Sequence, residues 1–200
     1  MKIIGITGGV GSGKSRVLSF MEEQYGAVIC QADQVAWRLQ EPGQVCYEKI
    51  VSHFGCGILR EDKTIDRGIL GGIVFGDKEE MDVLNRIVHP EVKRDIKEQI
   101  VAEEKAGSAY FILEAALLLE DHYEEICDEL WYIYTREDIR RMRLKESRGY
   151  SDEKISAIIG SQMPEQVFRE RCQVIIDNSE SFETTQKMIE RAMNRQEKRR

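Results

Sequence analysis

The chain has 200 residues, 42% of them apolar and 32% charged, which suits one globular domain with a core of its own. Its net charge of −7 excludes nucleic acid or an anionic membrane surface as the main partner, and no apolar run reaches the ~18 residues of a membrane span. Five cysteines, an odd number with no C-x-x-C pair, read as free thiols in a reducing cytoplasm rather than as a disulfide scaffold or a zinc site.

The apolar run over residues 2–7 predicts a buried strand that leaves no room for a signal peptide. Gly8-Gly9-Val10-Gly11-Ser12-Gly13-Lys14-Ser15 follows at once, the pattern G-x-x-x-x-G-K-S/T of a phosphate-binding loop. Glycines let such a backbone turn tightly and aim successive N–H groups at one point. A helix starting at Lys14 turns its positive end toward the same point, so amides, dipole and the Lys14 ammonium together hold a triphosphate such as ATP. The Ser15 hydroxyl is placed to meet a Mg2+ ion bridging the phosphates.

That helix is predicted to stop at Gly26, before a short strand over 27–30 and a helix headed by Asp33. Glu41-Pro42-Gly43 breaks the chain, and a helix over 44–54 ends at Gly55. The pattern stays helical to Lys105 except for an irregular or hairpin-like piece at 57–65, with Asp66 and Asp77 as N-caps. Pro90 is read as restarting the chain after His89. Strands return at 110–113 and 130–134, followed by a polar helix over 136–146 and a turn at Arg148-Gly149-Tyr150. Ser151 opens another helix, Pro164 starts the next, 174–176 is the last strand and Ser181 caps a final helix. The basic end, Lys198-Arg199-Arg200, would complement a helix C-terminus.

Strands separated by helices predict an α/β fold, a three-layer P-loop NTPase with a parallel central sheet. Residues 1–37 and 106–200 would form the nucleotide-binding core, 38–105 a helical acceptor-binding insertion and 136–172 an Arg-rich helical lid.

Phosphoryl transfer needs a base for the acceptor hydroxyl, and Asp33 is the carboxylate chosen, with helix capping as its other reading. Glu114 would hold Mg2+ through a water, again with capping as the alternative. Arg140, Arg141, Arg143, Arg148, Arg169 and Arg171 form a group able to close over the phosphates, although each could instead pair with a nearby Glu on an exposed face. GTPase elements N-K-x-D and D-x-x-G are missing, as is the L-S-G-G-Q of ABC ATPases, which leaves a small-molecule or nucleotide kinase.

The ordered motifs resemble one family, the dephospho-coenzyme A kinases. Gly5 to Ser15 is similar to that family's opening, Gln31-Ala32-Asp33 to its Asp-Ala-Asp, and Glu41-Pro42-Gly43 to its E-P-G turn. Ile65-Asp66-Arg67, Leu84-Asn85-Arg86-Ile87-Val88-His89-Pro90, Glu114 to Glu120 and Val174-Ile175-Ile176-Asp177-Asn178-Ser179 match further signatures in order. The resemblance implies transfer of the ATP γ-phosphoryl group to the ribose 3′-hydroxyl of dephospho-CoA, the last step of coenzyme A synthesis. It makes Asp33 the base, Arg67 and His89 acceptor contacts, and Arg143 the lid arginine, while Arg140 stands where many members carry Gln. Gln31 in place of the first Asp, and Arg148 one place beyond the family's second lid arginine, depart from the pattern. Another nucleoside or nucleotide acceptor, or an ATP-binding regulator without catalysis, are the alternatives. The sequence leaves a homo-oligomer open.

Overall fold

The computed structural model describes residues 1–197, with the backbone alone for 195–197, so the basic end Lys198-Arg199-Arg200 lies outside the described residues. Five strands, β1 (Lys2–Thr7), β2 (Val28–Gln31), β3 (Tyr110–Glu114), β4 (Glu129–Tyr134) and β5 (Val174–Asp177), form one sheet in the order β2-β3-β1-β4-β5. β1 runs parallel to β3 and β4, and β4 parallel to β5. The near-continuous apolar strands follow from burial on both faces.

The helices are α1 (Lys14–Tyr25), α2 (Ala32–Leu39), α3 (Val45–Phe54), α4 (Arg67–Gly76), α5 (Lys78–Ala106), α6 (Glu137–Arg148), α7 (Asp152–Gly160), α8 (Glu165–Arg171) and α9 (Phe182–Glu197). The chain divides into two compact units, one of Met1–Ile29 with the chain from Ala106 onward, the other of Cys30–Lys105.

In the first unit, strand alternation sends neighbouring side chains to opposite faces. Ile4, Ile6, Trp131 and Ile133 pack on Val17, Phe20 and Met21 of α1 and on Ile189 and Met193 of α9. Tyr132 points the other way and stacks on Phe168 of α8, centroids 4.9 Å apart and planes 10° from parallel. Truncating a side chain as buried as Ile4 or Met21 to alanine would cost about 2–5 kcal/mol.

The second unit is helical around Val35, Leu39, Cys46, Ile50, Leu70, Val88, Val92 and Ile96. Residues 57–65 form the expected hairpin-like piece, with one antiparallel bridge between Leu59 and Ile65. Asp66 caps α4 by accepting from the Gly68 and Ile69 amides, and Asp77 accepts from the Glu79 amide at 2.8 Å. Those bonds hold the Asp66 carboxyl below its usual range, the Ile69 amide being the largest cause, with Arg60 next.

Pro90 does not restart the chain: α5 runs unbroken through it for 29 residues. A proline inside a helix removes one N–H donor and crowds the carbonyls one turn back. Val88, Val92 and Ile96 nevertheless keep one buried stripe through the proline, so packing outweighs the lost bond. The Ile87 carbonyl, within that disturbed turn, accepts from the Cys46 thiol at 3.8 Å.

Candidate active site

The loop between β1 and α1 opens where β1 leaves the sheet's carboxyl edge between β3 and β4, the position at which open parallel sheets bind ligands. Gly13 ends the loop at φ 83°, a left-handed conformation that other residues adopt at a cost, and it hands the chain to α1. At Gly8 a Cβ would lie 2.5 Å from the backbone oxygen of Ile133, so the loop can run this close to β4 only with glycine there.

Lys14 folds back over the loop. Its Nζ donates to the Gly8 carbonyl at 2.7 Å and lies 3.6 Å from a carboxylate oxygen of Glu114, which is buried at the end of β3. The neighbouring Ser15 is exposed in the first turn of α1.

Three distant side chains brace the loop at one atom, the Ser12 carbonyl. It accepts from Asn178 Nδ2 at 2.8 Å, Thr135 Oγ1 at 3.0 Å and Arg143 Nη1 at 3.5 Å. Arg143 Nη2 donates in turn to the Asn178 carbonyl at 2.9 Å. The sequence reading assigned no role to Asn178 or Thr135. The one local signal was the I-D-N-S run itself, which names the position without its contact.

Arg140 lies over the loop's other end. Its Nε donates to the Val10 carbonyl at 2.9 Å, an Nη donates to Gln162 Oε1, and a Cβ at Gly9 would collide with its guanidinium. Burial pulls the Arg140 guanidinium below its ordinary value. Arg143 shifts the same way, from burial first and then from the charge of Arg16. Two guanidinium groups partly withdrawn from water beside a loop of amides form a site that an anion relieves. Thr7 Oγ1 and Ser12 Oγ are buried without a hydrogen-bond partner, the remaining unmet polar atoms at this place.

The other arginines of the predicted group do not share that position. Arg141 pairs with Glu137 at 2.8 Å, Arg169 pairs with Glu165 and lies over Tyr134, and Arg171 reaches Glu124 at 2.6 Å. Arg148 is exposed at the end of α6 and sits 5.9 Å from the centroid of Tyr150.

In the second unit, Asp33 stands exposed in the first turn of α2. It is not the cap: the N-cap is Gln31, whose side chain makes no capping bond but accepts from Gln34 Nε2. Arg67 opens α4 with its guanidinium 4.5 Å from the centroid of Trp37, and both line a cavity of about 450 Å³ with Glu41, Arg60 and Thr64. His89 is half-buried within α5, one residue before Pro90.

A parallel sheet with a complete phosphate loop after its first strand, and two arginines of one helix resting on that loop, defines a P-loop kinase. The family profile described as dephospho-CoA kinase matches residues 2–184, and the chain belongs to that family. It is 40% identical to a dephospho-CoA kinase of Carboxydothermus hydrogenoformans over 94% of its own length and 91% of that protein. Among solved structures, a Thermus thermophilus protein superposes with a TM-score of 0.83 at 28% identity, covering 97% of both chains. A dephospho-CoA kinase from Campylobacter jejuni gives 0.74 at 27% identity over the whole of both chains.

Proposed function

We propose that this enzyme moves the γ-phosphoryl group of ATP onto the ribose 3′-hydroxyl of dephospho-CoA, giving coenzyme A and ADP. Lys14 and the amides of Gly9 to Ser15 hold the β- and γ-phosphates, and the partly desolvated Arg140 and Arg143 neutralise charge as the phosphoryl group transfers. Asp33 takes the proton of the acceptor hydroxyl, and Arg67 and His89 contact the acceptor. Arg148, exposed at the end of α6 beside Tyr150, would join them on the ATP phosphates.

Among the described residues no cluster of three or more His, Cys, Asp or Glu side chains could hold a metal ion by itself. A Mg2+ ion here would therefore lean on phosphate oxygens, as this small hard ion commonly does. The residues fit it: the exposed Ser15 hydroxyl would be a direct ligand and the Glu114 carboxylate, already 3.6 Å from Lys14, would hold it through water. When bound, the ion screens the phosphate charges and fixes their geometry. Five free thiols, three of them buried, suit work in a reducing cytoplasm.

The observation that carries this reading is the convergence of Lys14, Arg140 and Arg143 on one phosphate loop in a chain of this family. Mass spectrometry and phosphorus NMR of the product formed from ATP and dephospho-CoA test it. A new 3′-phosphomonoester is expected, and phosphate at another position or ATP hydrolysis alone would refute it.

A further inference from the structure

An exposed tryptophan is costly surface, and Trp37 stands 51% exposed while its own helix buries Ala32, Val35 and Leu39 on the opposite side. Asp33 and Trp37 are four residues apart, so they share the exposed stripe of α2, one turn from each other. A hydroxyl handed to Asp33 therefore brings whatever is attached nearby on the same molecule to the indole. In a ribose 3′-hydroxyl acceptor, that neighbour is the base on the same sugar ring.

The surroundings match such a ligand. Arg67 lies over the indole, and Arg60 joins it on the wall of the same cavity, whose volume of about 450 Å³ falls within the range for a bound nucleoside-sized group. An indole with a guanidinium over one face offers its other face to a heterocyclic base, with two arginines close by for phosphates. Arg60 is itself oriented by Asp66, the N-cap of α4, at 3.1 Å.

We infer that Trp37 is a specificity-determining residue that stacks the adenine of the acceptor on the indole face away from Arg67, with Arg67 meeting the 5′-phosphate chain. The inference rests on the acceptor proposed above and adds the face of the protein that reads its base. Stacking a base on an aromatic side chain changes binding on the order of tenfold upon truncation to alanine.

The test compares the wild type with Trp37→Ala and Trp37→Phe in steady-state kinetics, with acrylamide quenching of tryptophan emission alongside. Trp37 is the accessible one of the chain's two tryptophans, since Trp131 is fully buried. Dephospho-CoA is expected to shield the wild-type emission from acrylamide, and to lose that effect in both variants. The KM for dephospho-CoA should rise about tenfold in Trp37→Ala and stay near the wild type in Trp37→Phe, with the KM for ATP unchanged. An unchanged acceptor KM in Trp37→Ala, or a rise confined to ATP, would overturn the inference while wild-type turnover of dephospho-CoA left the proposed reaction standing. A wild type that does not turn over dephospho-CoA would overturn the proposed reaction, and this inference with it.

Discussion

Asn178 donates its side-chain amide to the Ser12 carbonyl at 2.8 Å, joining the end of the last strand to the phosphate loop across 166 residues of sequence. Its own Oδ1 accepts from the Thr185 hydroxyl at 2.9 Å, which fixes the orientation of the amide. Both groups are buried, so the loop's curvature is held by a polar network with little water to replace it. Asn178→Asp removes the donor and faces the Ser12 oxygen with a carboxylate. We predict a fall of several degrees in melting temperature, from a loss of about 1–3 kcal/mol, and a KM for ATP raised by about tenfold. A variant with the wild-type melting temperature and ATP affinity would show that the brace does not matter.

Asp33 has no capping duty, because Gln31 is the N-cap of α2. Replacing it should therefore leave the helix intact and report on chemistry. Asp33→Asn is expected to lower kcat on the order of 10²-fold or more with ATP binding nearly unchanged, as checked by calorimetry and single-turnover rates. Full turnover by the variant would remove Asp33 from the mechanism.

Lys14 reaches both the Gly8 carbonyl and Glu114, so it is pre-aimed into the loop before any phosphate arrives. Lys14→Ala should weaken ATP binding and turnover together, unlike Asp33→Asn. Equal ATP affinity in a filter-binding or calorimetric titration would contradict the role given to its ammonium group.

Burial pushes four thiols up, Cys30 and Cys127 to about 12 and Cys46 and Cys172 to about 11. Below about pH 9 these thiols keep their protons in both folded and unfolded chains and add no pH dependence. Above it the unfolded chain releases protons that the folded one retains, so stability should fall as pH rises from about 9 toward 11–12. Chemical denaturation at stepped pH checks the sign. At pH 8, a thiol reagent should label Cys56, the one exposed cysteine, ahead of the other four, and rapid native labelling of Cys30 would contradict this burial.

Much of this architecture was legible because its signals are local. The phosphate loop, the caps at Asp66, Asp77 and Ser181, and the stops at Gly26 and Gly149 each follow from one residue's backbone preference or hydrogen-bonding reach. Pro90 was misread by the same logic: a local rule predicts a break, while the buried stripe of Val88, Val92 and Ile96 carries the helix through. The bracing of the loop was not legible. Thr135, Arg140 and Asn178 meet it from 123, 130 and 166 residues away, and no periodicity or spacing encodes contacts set by strand order. In the arginine-rich segment the family resemblance named Arg143, but no local signal separated Arg140 from Arg141. That choice follows from the pitch of α6, which turns Arg140 and Arg143 to one side and leaves Arg141 to pair with Glu137.

The most direct measurement is ADP release by the purified protein with ATP and magnesium, in the presence and absence of dephospho-CoA, with adenosine and AMP as control acceptors. Strong stimulation by dephospho-CoA alone is the predicted result. Equal or greater stimulation by adenosine or AMP, or ATP binding with no stimulated release by any of the three, would contradict the account.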